Sequence, residues 1–137
     1  MNDKPAYFEH GADIGVIGRG PTLEDAFAEA ARATFAIMAP PDEVAERLGV
    51  EIDFDEPDVE FALVTWLNRL LAEARLHGAV FGRFELSRTG AHYRGRAFGC
   101  QWHPAIARGT EVKGATLTAL SVTQDENGWE ARCVVDV

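Results

Sequence analysis

EARLHGAVFGRFELSR, residues 73–88, holds the break on which the fold turns. Before Gly78 the apolar residues recur at helical spacing, and after it that period disappears. Glycine carries no Cβ and ends a helix at little cost, so Gly78 reads as a helix stop. Upstream, PDVEFALVTWLNRLLAEARLHG (57–78) is a helix with Asp58 as its cap. Phe61, Val64, Leu67, Leu71 and Ala74 form a stripe that Leu63, Trp66 and Leu70 widen, which predicts a helix covered on more than one side. Downstream, VFGRFELSR, HYRGRAFGCQW, ATLTALSVTQ and WEARCVVDV read as four strands, joined at Thr89–Gly90, through a loop around HPAIARGTE (103–111), and at DENG (125–128).

Further toward the N-terminus, Leu48, Val50, Ile52 and Phe54 alternate with Gly49, Glu51 and Asp53, as a half-buried strand does. Before it, PTLEDAFAEAARATFAIMAPP (21–41) is a helix. Thr22 is its N-cap, Glu24 and Asp25 complement its dipole, and Pro40–Pro41 end it. DIGVIGRG (13–20) reads as a strand whose glycines permit close approach or bending. The order strand, helix, strand, helix, four strands predicts an α+β fold with about six mostly antiparallel strands and two helices. No repeat or linker divides residues 1–137, which read as a single domain.

The net charge of −9 repels phosphate backbones, which argues against high-affinity nucleic-acid binding and favours a protein partner or a polyvalent cation. The acidity is concentrated: residues 1–82 hold 16 acids and 6 bases, and residues 83–137 hold 6 acids and 7 bases. No apolar run approaches the roughly 20 residues of a membrane span, and the first residues lack a leader's basic and apolar pattern. The expected location is therefore the cytoplasm, with Cys100 and Cys133 as reduced core residues.

Standard nucleotide loops, HExxH and GxSxG are missing, so no motif marks a nucleophile or a phosphate cradle. What remains is a set of polar residues at element ends. His10 and Asp13 precede the strand 13–20, and in an extended chain they would point to opposite faces, so they serve one site only if Gly11 bends the chain. Asp136 ends the last strand on the face shared with Glu130, Arg132 and Val134, beside the terminal carboxylate. Two readings stand: Asp13 shapes a turn and Asp136 is simply solvated, or both supply oxygens to a cation. Lys113 likewise reads either as an edge-strand lysine that discourages further pairing or as part of a site. His77 reads as a helix-terminal residue and His103 as a loop residue, and the three tryptophans as core or rim aromatics.

HGADIGVIGRGPTLEDAFAEAARATFAIM, VTWLNRLLAE, EVKGATLTALSV and GWEARCVVDV together resemble the archease family across essentially the whole chain. The resemblance implies a small α+β fold with a β-sandwich-like core of about six strands and two helices. It implies a non-catalytic role: activation of an RtcB-type GTP-dependent RNA ligase in tRNA splicing and RNA repair, by promoting guanylylation and repeated turnover. A related expectation is a chaperone or modulator of an RNA-modifying enzyme such as a tRNA methyltransferase. A small metal-dependent hydrolase built on Asp13, Asp136 and His10 is the competing class. By position, the resemblance assigns metal binding to Asp13 and Asp136 with His10 adjacent, and partner activation to Lys113 with the same two aspartates. The cation expected from oxygen ligands is divalent: calcium, or magnesium or manganese. The chain departs from the family pattern at Ala36, where many relatives carry an aspartate, at Leu117 and Thr118, which replace tyrosine and histidine, and at Gly11, which replaces threonine.

Overall fold

The computed structural model describes residues 4–137. Among them are two α-helices and eight strands: β1 (Ala6–His10), β2 (Asp13–Gly20), α1 (Leu23–Ala36), β3 (Leu48–Asp55), α2 (Val59–His77), β4 (Ala79–Thr89), β5 (His92–Gln101), β6 (Gly114–Ala115), β7 (Ser121–Asp125) and β8 (Gly128–Asp136). One antiparallel sheet runs β1-β2-β8-β6, with β7 also on β8, and the other runs β3-β5-β4. The α+β class with two helices holds.

The helix boundaries follow local chemistry. Thr22 accepts a hydrogen bond from the Asp25 amide, and Asp58 accepts from the amides of Glu60 and Phe61, so side chains satisfy donors that a helix start leaves open. Gly78 adopts φ 60°, the left-handed conformation that closes α2 through hydrogen bonds to Ala74 and Arg75.

Helix α1 packs on β2 and β8 of one sheet and on β4 of the other, which explains its alanine content. Ala26, Ala30, Ala31 and Ala33 are fully buried, and only small side chains let layers close in on both sides of one helix. Gly18 completes this fit: a Cβ there would collide with the Ala26 carbonyl and the Ala30 backbone. Trp66 of α2 is fully buried and donates from Nε1 to the Phe27 carbonyl at 2.9 Å, so its polar atom is satisfied inside the core. Tyr93 stacks between Phe27 and Phe54, with centroid distances of 6.0 and 4.9 Å. Cys100 and Cys133 are free and buried, and burial pushes the Cys133 thiol up to about 12.

The structure differs from the sequence reading in three places. Residues 6–10 form an additional strand, β1, whose hairpin to β2 turns at Gly11 with φ 60°. The stretch 115–124 is two short strands on the same edge of β8, separated by residues 116–120. The break is local: Ala119 has φ 53°, and the Thr116 hydroxyl accepts from the Thr118 amide, so the chain bulges. Thr116 N–H still donates to Val134 O, and Val134 N–H to Thr118 O, so the bulge stays bonded to β8. The third difference is Val134, expected on the polar face of its strand but buried; it opposes Gly15 in the ladder, and the Phe8 ring lies over Gly15 on that face.

Candidate functional site at one end of the five-stranded sheet

The pairing register brings the polar residues at the strand ends together. His10 opposes Asp13 across the β1–β2 hairpin, Ile14 opposes Val135, and Gly114 opposes Asp136. One step beyond the Ile14–Val135 pair, Asp13 stands across from Asp136. Opposed residues in an antiparallel ladder share a face. His10, Asp13, Asp136 and Gly114 therefore form one row across four strands, and the bend at Gly11 is what puts His10 and Asp13 on the same side. Neighbouring Cα atoms in such a row are about 5 Å apart.

Asp13 is half-buried and Asp136 is exposed. The Val137 amide donates to Asp13 Oδ1 at 3.3 Å, which ties the start of β2 to the end of β8. The Lys113 amide donates to the Asp136 carbonyl at 2.8 Å, so Lys113 is fixed one residue outside the row, with its side chain exposed. Like charges on directly opposed positions repel. Asp13 and Asp136 thus set two negative charges on adjacent strand ends, a position that suits a cation or a basic partner group.

Helix α2 holds the Lys113 segment from behind. Asn68 Oδ1 accepts from the Ala115 amide at 2.8 Å and Nδ2 donates to the Ala115 carbonyl at 3.2 Å. Arg75 Nη2 donates to the carbonyls of Val112 and Lys113. Asn68 and Arg75 lie seven residues apart, two helical turns, and so share a face. The sequence reading missed both; the signal for Asn68 was an amide set inside the broad apolar stripe of α2.

The donor set limits what the row can do alone. Asp13 and Asp136 offer hard carboxylate oxygens suited to calcium, magnesium or manganese, and His10 adds a softer imidazole. Among the described residues, no three His, Cys, Asp or Glu side chains converge in a group able to hold a metal ion. Helix α1 runs back antiparallel to β2, with Gly18 against Ala26 and Ala30 and the Tyr7 hydroxyl bonded to the Ala33 carbonyl at 2.8 Å, so its last turn returns toward the Asp13 end. The residue there is Ala36, with no side-chain oxygen to give. Two carboxylates supply two to four of the roughly six to eight oxygens calcium takes, and the remainder must come from water or another molecule.

The other histidines and tryptophans lie elsewhere. His77 ends α2 with Nε2 3.3 Å from Glu73, and His103 Nδ1 accepts from the Ala105 amide within the 102–113 loop. Trp102 is half-buried beneath Arg108, whose guanidinium carbon is 4.1 Å from the ring centroid, and Trp129 is half-buried in β8. Among the described residues, no helix is long and apolar enough to cross a membrane.

Residues 6–137 match the family described as Archease protein family (MTH1598/TM1083). Protein archease of Sulfolobus acidocaldarius is 33% identical over 134 residues, covering 96% of each chain. Protein archease of Thermococcus gammatolerans is 38% identical over 137 residues, again covering 96% of each. The solution structure of Methanobacterium thermoautotrophicum protein 1598 superposes with a TM-score of 0.78 at 24% identity, covering 97% of this chain and 98% of that one. The crystal structure of an archease from Thermotoga maritima, described as a possible chaperone, gives a TM-score of 0.64 at 20% identity over 100% of both chains. The chain belongs to the archease family.

Proposed function

We propose that this archease is a non-catalytic protein cofactor of an RtcB-type GTP-dependent RNA ligase, promoting its guanylylation and repeated turnover. The observation that carries the reading is the facing pair Asp13 and Asp136, set beside an exposed Lys113 that α2 anchors through Arg75 and Asn68. A carboxylate pair on strand ends is rigid in its backbone and accessible in its side chains, which suits insertion toward another protein's active site. There Lys113, a compact point charge, orients a phosphate or a carboxylate. The acidic character of residues 1–82 complements the basic surface that an RNA-binding enzyme presents.

In this reading Asp13 and Asp136 would hold a divalent cation together with groups from the partner, and the ion would offset phosphate charge when bound. The aspartates' own task is to hold that position without wandering, which the Val137 amide on Asp13 and the Lys113 amide on the Asp136 carbonyl enforce. The description of the Thermotoga relative as a possible chaperone favours a second reading, in which the same surface modulates an RNA-modifying enzyme such as a tRNA methyltransferase.

The test is multiple-turnover joining of RNA ends by the same organism's RtcB-type ligase, with and without this protein. Activation by the wild type that falls at least tenfold in Asp13→Ala, Asp136→Ala and Lys113→Ala supports the ligase reading. Wild-type protein that is folded yet leaves turnover unchanged overturns it and directs the assay to methyltransferases.

A further inference from the structure

A cavity of about 220 Å³ lies between the C-terminal turn of α2 and the 102–113 loop. Met38, Leu71, Ala74 and Trp102 give it apolar walls, and Arg75 and Arg108 stand on its lining. The state of the two guanidinium groups is informative. Arg108 is exposed, its guanidinium carbon 4.1 Å from the Trp102 ring centroid, and among the described residues it makes neither a hydrogen bond nor an ion pair. Arg75 spends only Nη2, on the Val112 and Lys113 carbonyls, which leaves Nε and Nη1 unpaired among the described residues. Glu111 also lines the cavity, and it forms no ion pair with either arginine within the described residues.

Two planar forks with unused donors beside an apolar hollow match one ligand chemistry. We infer that this cavity binds a carboxylate carried on an apolar body, the carboxylate meeting Arg108 and Arg75 and the body entering against Met38, Leu71 and Ala74. Guanidinium forks pair with carboxylates in two parallel hydrogen bonds, and stacking on Trp102 pre-orients Arg108 so that less freedom is lost on binding. The apolar walls receive the body of such a ligand and offer nothing to a strongly hydrated inorganic anion. The small volume suits a single ring or branched aliphatic group. Free aromatic carboxylates and the C-terminal residue of a peptide share this chemistry. Arg75 also gives the cavity a connection to the sheet-end site, because it holds the backbone of Lys113. The inference stands apart from the ligase proposal and survives its failure.

The experiment is a titration of the full-length ¹⁵N-labelled protein with phenylacetate, followed at the Trp102 indole N–H and the Gly109 amide. The expected result is saturable shifts at both, with Kd on the order of 1 mM for a ligand of this size, and a smaller shift at the Lys113 amide. Phenylacetamide, which lacks the charge, binds at least tenfold more weakly, and so does phenylacetate to Arg108→Gln. Arg108→Lys keeps a cation but loses the fork and gives an intermediate affinity. N-acetyl-phenylalanine separates the sources: binding as tight as phenylacetate or tighter identifies a chain end, and weaker binding identifies a free acid, either supporting the inference. Equal binding of phenylacetamide, equal shifts with inorganic phosphate, or no saturable shift at ten times the expected Kd overturns it.

Discussion

Asn68→Ala removes the two hydrogen bonds by which α2 holds the short strand that follows Lys113. Both involve Ala115, at 2.8 Å to its amide and 3.2 Å to its carbonyl, and both are partly buried. β6 contains only Gly114 and Ala115, and its ladder contact is with the end of β8. At about 1 kcal/mol for each bond the loss is about 2 kcal/mol. For a domain of this size that lowers Tm by roughly 7 °C. Urea unfolding measures the total, and amide exchange in the native state locates it. A free-energy loss of about 2 kcal/mol is a factor of roughly 30 in an opening equilibrium. The amides of Lys113 and Ala115 should therefore exchange about 30-fold faster. Asn68→Leu keeps the branched four-atom shape of the side chain while losing both bonds, so it should be as destabilising as alanine. Full stability in the leucine variant, or unchanged exchange at Ala115, would refute the view that hydrogen bonding by Asn68 fixes this strand.

Gly18→Ala drives a methyl group into the backbone of α1 at Ala26 and Ala30, neither of which can rotate away. Denaturant unfolding should show a loss of about 3 kcal/mol, with overpacking as the cause. Cys133 is held as a neutral thiol by burial, its pKa raised from 9.0 to about 12. Native protein at pH 8 should therefore resist a thiolate-directed reagent at this position until it unfolds. The raised value also means that the associated stability is complete below pH 9 and is lost as pH climbs toward 12, which a urea series at alkaline pH checks. Asp136→Asn removes one of two facing charges. Its Tm should be unchanged or higher, so a loss of partner activation in this variant cannot be ascribed to misfolding.

The elements legible in the sequence are those whose cause is local. Alternation from Leu48 to Phe54 specifies β3 by itself, and Thr22, Asp58 and Gly78 mark helix ends because each acts on neighbouring backbone groups. The pieces that escaped depend on distant parts of the chain. β1 alternates over only five residues and is recognised by its pairing with β2. The interruption at 116–120 places Ala119 at positive φ, a conformation that alanine does not favour and that the surrounding bonds to Val134 impose. The candidate site divides in the same way. Gly11 showed that His10 and Asp13 could share a face. The opposition of Asp13 and Asp136 comes from a register between strands near opposite ends of the chain, and the grip of Asn68 and Arg75 on the Lys113 segment comes from the approach of α2 to β6.

The most direct test of the account is the rate of guanylylation of the RtcB-type ligase, measured in a single turnover with GTP and a divalent cation. Wild-type protein should accelerate ligase guanylylation. Asp13→Asn and Asp136→Asn, each with its Tm preserved, should lose that acceleration. Equal acceleration by both folded variants would contradict the central claim that the facing carboxylates are the working end of the molecule.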